Sequence, residues 1–406
     1  MIETGLKPAT GGPMQLEEIQ QALHDAGLGG WLFFDFHHRD PMAYNILGLD
    51  ITKGTSRRWF YLIPPEGEPI KLSHRVEPTR LDPLPGKQEW YLAWTELHEQ
   101  LKKILDGRGK IAMQYSPMCN IPYVSVVDAG TVELVRSCGV EVVSSADLVQ
   151  SFEATLDDAG FQSHRETGVL VQMIKDEAFD LIDKALKQSG KLTEYDVREF
   201  ILTRFAEEEL TSDGAVPIVG FNDHPADPHF EPTEENAHTL HHGDTILIDL
   251  WARRIDPVGV YYDVTWCGFA GRQPPALYSE IFGAVCRGRD AAIEFVRERM
   301  EAGTPTFGWE VDDVCRNVVK ESGHGDEFLH RTGHSIGIEV HANAVNIDNL
   351  ETRDERRLAP GICFSIEPGI YLAGRMAVRT EVDVFIRPSG SVEVCGPIQK
   401  DLVLVG

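Results

Sequence analysis

Ile246-Leu247-Ile248-Asp249-Leu250 and, after a polar break, Val260-Tyr261-Tyr262-Asp263-Val264 decide how this chain reads. Each is an apolar run of strand length with a carboxylate inside it, and Asp256-Pro257-Val258-Gly259 between them is a turn. The arrangement returns in Ile362-Cys363-Phe364-Ser365-Ile366-Glu367, then Ala373-Gly374, then Val378-Arg379-Thr380-Glu381-Val382. Fourteen residues separate Asp249 from Asp263, and fourteen separate Glu367 from Glu381. The expectation is two similar hairpins, each presenting two carboxylates, as in a duplicated half-domain.

A carboxylate inside a buried strand is costly unless it is paired or bound to a metal. Any one of the four could sit on an edge strand facing water, but four in four apolar runs need a common compensation. Arg379 is two residues from Glu381 and so on the same strand face. One arginine neutralises one carboxylate, whereas two divalent cations balance all four. Carboxylates bridge such ions about 3.5–4 Å apart, with a water or hydroxide held between them as nucleophile.

A fifth group is expected from His330-Arg331-Thr332-Gly333-His334-Ser335-Ile336-Gly337-Ile338-Glu339-Val340-His341, where two glycines allow close backbone approach. Three histidines in this stretch point to a site without saying which one binds metal. An oxygen-rich set with one imidazole favours manganese, cobalt, iron or zinc and disfavours copper(I). Upstream, Pro228-His229-Phe230-Glu231-Pro232 precedes the turn Gly243-Asp244-Thr245. His241 and His242 read as exposed loop residues, while spacing alone leaves His224 and His229 open.

Around this nucleus, 406 residues suggest two domains. The expected organisation is a tail at 1–13, an α/β domain at 14–158 and an α+β domain at 159–406, with helices covering an antiparallel sheet. In the first domain, Leu16 to Ala26 and Thr95 to Leu105 read as helices, and Trp31–Phe34, Trp59–Ile63, Ile70–Leu72, Lys110–Met113 and Val140–Val143 as strands. In the second, Arg165 to Leu186 is a helix with Val169, Met173, Ile174, Ile182 and Leu186 at helical spacing. Another helix starts at Thr193, with Thr193 and Asp196 as a capping pair. Two more run from Tyr278 to Met300 and from Val311 to Lys320.

A net charge of −26 opposes phosphate backbones and anionic membranes, which excludes nucleic acid as the expected partner. Met1 to Gly12 lacks the pattern of a signal peptide, and no apolar run approaches the roughly 20 residues that span a bilayer. Seven scattered cysteines with no Cys-x-x-Cys pair suit reduced thiols, so a cytoplasmic location is expected.

The motifs His334-x-x-Gly337…His341, Glu367-Pro368-Gly369, Arg379-Thr380-Glu381 and Gly243-Asp244-Thr245-Ile246-Leu247-Ile248-Asp249 with Asp263-Val264-Thr265 resemble the pita-bread metallopeptidases. That group contains prolidase, aminopeptidase P, methionine aminopeptidase and creatinase. The N-terminal segment looks like that of the prolidase, aminopeptidase P and creatinase branch, and methionine aminopeptidases lack such a domain.

The resemblance implies a C-terminal pita-bread domain holding two divalent metals, manganese first. Asp249 would contact one metal, Asp263 and Glu381 would bridge both, and His334 and Glu367 would complete the set. Glu367 would also assist the nucleophilic water, Arg379 would stand behind the ligands, and His229 and His341 would contact substrate and the tetrahedral intermediate. The implied substrates are dipeptides or short peptides with proline second, cleaved by a homodimer. A creatinase-like hydrolase or lyase acting on a small molecule, and a non-catalytic binding protein, are the competing readings; both predict lost ligands, and all five are present. Three departures lie near the expected ligands and bear on substrate preference: Trp266 where many members have arginine, Ala342 where they often carry an acid, and three extra residues between Asp249 and Asp263.

Overall fold

The structure, a computed structural model, describes residues 14–188, 190–256 and 258–406, so the expected tail at 1–13 lies outside the described residues. Two compact units divide the chain, one running to Ala154 and one from Thr155 to Gly406.

In the first unit β1 (Gly30–Asp35), β2 (Trp59–Ile63), β3 (Ile70–His74), β4 (Lys87–Tyr91), β5 (Lys110–Met113) and β6 (Glu141–Ser144) form a sheet in the order β4-β3-β2-β1-β5-β6. Helices α1 (Leu16–Asp25), α2 (Pro41–Leu47), α3 (Trp94–Leu105), α4 (Ala129–Ser137) and α5 (Ala146–Glu153) complete it. Trp31, Phe33, Trp59 and Tyr61 join one apolar cluster, and Leu32, Phe34, Phe60 and Leu62 join another. Alternate side chains of β1 and β2 thus feed two cores, which is why these strands read as unbroken apolar runs.

The second unit opens with α6 (Asp158–Lys187) and α7 (Glu194–Glu207), followed by β7 (Leu210–Thr211), β8 (Ile218–Phe221), β9 (Thr245–Arg254) and β10 (Tyr262–Ala270). Then come α8 (Ala276–Glu301), α9 (Gly308–Glu321), β11 (Ser335–Ile336), β12 (Cys363–Ile366) and β13 (Gly369–Leu372). The chain finishes with β14 (Met376–Arg379), β15 (Val382–Ile386), β16 (Val392–Cys395) and β17 (Val403–Val405). The Thr193–Asp196 capping box at α7 forms as expected, each side chain accepting from the other's backbone N–H.

Two expectations need correction. On α6 the buried stripe runs through Val171, Ile174, Ala178 and Ile182, while Val169 is 69% exposed. Val169 fits the spacing but stands on the opposite face, because an isolated valine cannot fix the phase of a long helix. The sheet is also not wholly antiparallel: β17 pairs β10 in parallel. A parallel neighbour needs a long crossover, and much of the second unit intervenes between these two strands.

Both hairpins exist, in different registers. Asp249 on β9 lies opposite Thr265 on β10, so Asp263 is its diagonal neighbour on the same face. In the second hairpin Ile366 faces Val382 and Gly369 faces Arg379, a continuous register that sets Glu367 opposite Glu381. Both glutamates lie outside the ladder. Pro368 has no N–H to give it, and the N–H groups of Glu367 and Glu381 donate instead to the carbonyls of Thr332 (2.7 Å) and Thr265 (3.1 Å). Equal spacing therefore hides a diagonal pair and a directly opposed pair.

Gly333 brings the histidine segment against this interruption. A Cβ built there would lie 1.9 Å from the Ser365 carbonyl oxygen. Next to it the N–H of His334 donates to Ser365 Oγ (2.9 Å) and the N–H of Ser365 to the His334 carbonyl (2.8 Å). Gly333→Ala is therefore expected to destabilise the chain by about 3 kcal/mol, read from denaturant unfolding. An unchanged midpoint would show that the two backbones can separate at little cost.

Candidate metal centre

Asp249 and Asp263 project from the shared face of β9 and β10, Glu367 and Glu381 from the break in the second hairpin, and His334 from the residue before β11. Asp249, Asp263, His334 and Glu381 are all buried, and Glu367 keeps 13% of its side chain exposed. His334 Nε2 lies 3.3 Å from Glu367 Oε1 and 3.7 Å from Asp263 Oδ2. Ligand atoms of Asp263, His334 and Glu381 all lie within 4.8 Å of one another. Asp249 is near enough for its charge to raise the pKa values of Asp263 and Glu381.

Burial pushes all four carboxyls up, that of Glu367 to about 7 and those of Asp263 and Glu381 well above the usual range, where their mutual repulsion adds to the burial. Burial opposes charge on His334 as well, and its pKa is held well below the ordinary value. His334 Nδ1 is 3.1 Å from the Ser335 carbonyl, which can only accept, so the proton sits on Nδ1. The Nε2 lone pair then faces carboxylate oxygens, an arrangement that suits a cation placed between them. Asp249 Oδ1, Asp263 Oδ1 and Glu381 Oε1 are buried with no hydrogen-bond partner. A divalent ion would satisfy buried acceptors left without donors, and the donor set fits one.

Arg379 reaches the opposite hairpin from the one the sequence suggested. Its Nη2 pairs with Asp249 Oδ2 rather than with Glu381, its Nε donates to Thr265 Oγ1 (3.1 Å) and its Nη1 to the Tyr371 hydroxyl (3.1 Å). Tyr371 in turn donates to His330 Nε2 (2.7 Å), and His330 Nδ1 faces the Arg331 carbonyl (2.7 Å). Every proton in this chain has one consistent place, and burial together with Arg379 holds His330 neutral with a pKa near 3.

The three histidines thus separate. His334 joins the carboxylates, His330 supports Arg379, and His341 stands at the exposed rim with its ring edge-on to His334, centroids 4.3 Å apart. Although His341 reaches solvent, its ring is enclosed enough that burial, helped by Arg331, pushes its pKa down to about 4. His229 is exposed on the loop after β8, close enough for its charge to act on Asp249 and His341.

Trp266 is a correction. Asp263 and Thr265 share a face of β10, so Trp266 points to the other, where Lys175 Nζ of α6 sits 3.4 Å from its ring centroid. It does not adjoin the ligands. Ala342 is buried with its N–H on the Ser335 carbonyl (2.9 Å). Tyr371, Thr265 and Asp383 were missed by sequence reasoning. Asp383 is fully buried and accepts from the Asp263 N–H (2.9 Å). The signal was present, since it is one more carboxylate in an apolar strand, two residues beyond Glu381.

Comparison with known proteins identifies the family and the fold. The family described as Metallopeptidase family M24 matches residues 163–388, more than half of the chain and inclusive of every residue of the centre. A probable dipeptidase PepE of Mycobacterium tuberculosis is 29% identical over 261 residues. The aligned segment spans 64% of this chain and 64% of that relative, so the match covers less than two thirds of its length. An uncharacterized peptidase of Staphylococcus saprophyticus is 26% identical over 277 residues, 63% of this chain and 73% of that protein. Among solved structures, dipeptidase PepE from Mycobacterium ulcerans aligns with a TM-score of 0.68 at 22% identity, over 97% of this chain and 100% of that one. An Xaa-Pro dipeptidase from Bacillus anthracis aligns with a TM-score of 0.61 at 20% identity, over 96% and 99%. These two likenesses establish the pita-bread fold with its N-terminal domain.

Removing Arg379 would leave Asp249 without the guanidinium paired to it. Arg379→Met is expected to cost about 3–5 kcal/mol of stability, measured by chemical denaturation. A loss below about 1 kcal/mol, the range of an exposed ion pair, would contradict this reading of the pair.

Proposed function

This chain belongs to metallopeptidase family M24, and from that premise we propose that it is a dinuclear metallopeptidase cleaving the Xaa-Pro bond of dipeptides or short peptides. One observation carries the proposal: ligand atoms of Asp263, His334 and Glu381 lie within 4.8 Å of one another, and Asp249, Asp263 and Glu381 each keep a buried carboxylate oxygen without a donor. Asp249, Asp263, His334, Glu367 and Glu381 would hold two divalent ions, manganese first, with cobalt, zinc and iron as alternatives. Such ions, when bound, polarise the scissile carbonyl and make water acidic enough to attack it near neutral pH.

The chain's own groups have distinct parts in the reaction. Glu367 keeps some solvent exposure at the edge of the carboxylate set, so it is placed to take the water's proton and pass it to the leaving amine. Arg379 fixes Asp249 and is itself fixed by Tyr371 and Thr265. His229 and His341, at the accessible side, contact the peptide. A neutral His341 can donate a hydrogen bond to the oxyanion without repelling the cations beside it.

Proline in second position is supported by the family resemblance and by relatives named as Xaa-Pro dipeptidases. A cytoplasmic location is supported by seven free cysteines. No helix among the described residues is long and apolar enough to cross a membrane. The homodimer rests on the resemblance alone.

The test is hydrolysis of Xaa-Pro dipeptides and longer Xaa-Pro peptides, beside their Xaa-Ala counterparts, before and after chelation and with manganese restored. Activity should vanish with the metal, return with it, and favour proline. Full activity in rigorously metal-free protein, or equal rates on Xaa-Ala, would overturn the assignment.

A second expectation separates catalysis from metal binding. His341→Ala should keep its metal and lose about 10²–10³ in turnover, whereas His334→Ala should lose metal and activity together. Elemental analysis alongside steady-state kinetics decides it. Normal turnover in His341→Ala would remove the residue from the mechanism.

A further inference from the structure

The long connection from β8 to β9 carries His229, and one buried carboxylate touches it at both ends. Glu194, the first residue of α7, is fully buried. Its Oε1 accepts from the Phe221 N–H (2.5 Å) and its Oε2 from the His238 N–H (2.6 Å). His224 Nδ1 lies 2.8 Å from Oε2 and 3.0 Å from Oε1. An ionised carboxylate only accepts, so the His224 proton sits on Nδ1 and is donated to Glu194. The backbone adds to the closure, with the Glu194 N–H on the His238 carbonyl (3.2 Å) and the Leu240 N–H on the Leu192 carbonyl (2.8 Å).

From His224 the restraint passes to the neighbour of His229. The His224 ring lies against Phe230, centroids 4.1 Å apart, and stacks on His238 at 3.5 Å. Phe230 closes a tight turn: its N–H donates to the Asp227 carbonyl (3.1 Å), and the His229 N–H donates to Asp227 Oδ1 (3.1 Å). Arg198, one turn along α7 from Glu194, donates from Nη1 to the Pro232 carbonyl (2.6 Å). The short turn His224–Ala226 packs on β13 and on β14, the strand of Arg379. Pro225 sits so close to β8 that a Cβ on Gly220 would lie 2.6 Å from its Cγ. The loop is thus held to α7 on one side and to the strands of the centre on the other.

We propose that Glu194 is a positioning residue for the substrate side of the centre: through His224 and Phe230 it holds the turn at 227–230 so that His229 meets the peptide. This rests on the peptidase reading, which makes His229 a substrate contact. An exposed histidine on an unrestrained loop would have to be ordered when substrate binds, and ordering it beforehand removes that cost from the binding step. The carboxylate suits the task because it offers two accepting oxygens to three donors. A neutral amide offers one, and its NH2 would oppose a backbone N–H.

The experiment compares Glu194→Gln, His224→Phe, His229→Ala and the double variant Glu194→Gln/His229→Ala with wild type. The readouts are amide hydrogen exchange, metal content, and steady-state kinetics on an Xaa-Pro peptide with manganese. His224→Phe keeps an aromatic ring between Phe230 and His238 and loses the hydrogen bond, so it tests the anchor even if Glu194→Gln folds poorly. In both anchor variants exchange across residues 222–238 should quicken about tenfold or more, the loss expected of a hydrogen bond to a charged group, while β9 keeps its protection. Their kcat/KM should fall about tenfold or more with the metal content of wild type unchanged. Glu194→Gln should add little to the loss already caused by His229→Ala, because both remove one contact with the peptide. A merely structural Glu194 would instead give losses that add in full. Unchanged exchange in the loop, or additive losses in the double variant, would overturn the proposal. A wild type that cleaves no peptide would remove the peptidase reading and the substrate role with it, and exchange would still decide whether Glu194 holds the loop.

Discussion

Four carboxylates share a buried space with one arginine, and the local structure around them follows from that imbalance. Arg379 pairs with Asp249 and is held by Tyr371 and Thr265, so its single positive charge is committed there and cannot also balance the other three. Little of their surface is exposed, and burial drives their pKa values upward. Bound cations would offset the repulsion among the carboxylates and give the orphaned oxygens partners. The fold spends its irregularities on this point: a ladder broken at Pro368, two N–H groups diverted to neighbouring segments, and a glycine where a Cβ would strike a carbonyl.

Much of this was legible in the sequence because the code for it is local. An acid in an apolar run, a Thr–Asp capping pair and glycines beside histidines each announce a cost or a geometry within a few residues. Asp249, Asp263, Glu367 and Glu381 were found that way, His334 was picked from three histidines only by the family resemblance, and the structure brings the five together. Cross-strand register was not legible. Identical fourteen-residue spacings conceal a diagonal and a direct pairing, because register depends on where the turn closes. The connection from Arg254 to Tyr262 is longer than that from Leu372 to Met376. The phase of α6, which put Val169 in water, and the parallel pairing of β17 are set by distant partners in the same way.

Side-chain direction was the other limit. Trp266 is three residues from Asp263 in sequence, and strand alternation sends it to the far face, onto Lys175. The same alternation, applied strictly, would have placed Asp383 beside Glu381 and revealed the carboxylate that supports the Asp263 backbone. The three histidines of the Gly333 stretch show what sequence proximity leaves open. One faces carboxylates, one completes the Arg379 network and one stands at the rim, and their environments differ although their neighbours in sequence do not.

The central claim is that these five side chains hold two cations, and anomalous scattering tests it most directly. Crystals grown with manganese and measured near its absorption edge should show two peaks about 3.5–4 Å apart. Both should lie within bonding distance of the five side chains, with Asp263 and Glu381 touching both. A single peak, or peaks bound elsewhere while the oxygens of Asp249, Asp263 and Glu381 stay without partners, would contradict the account.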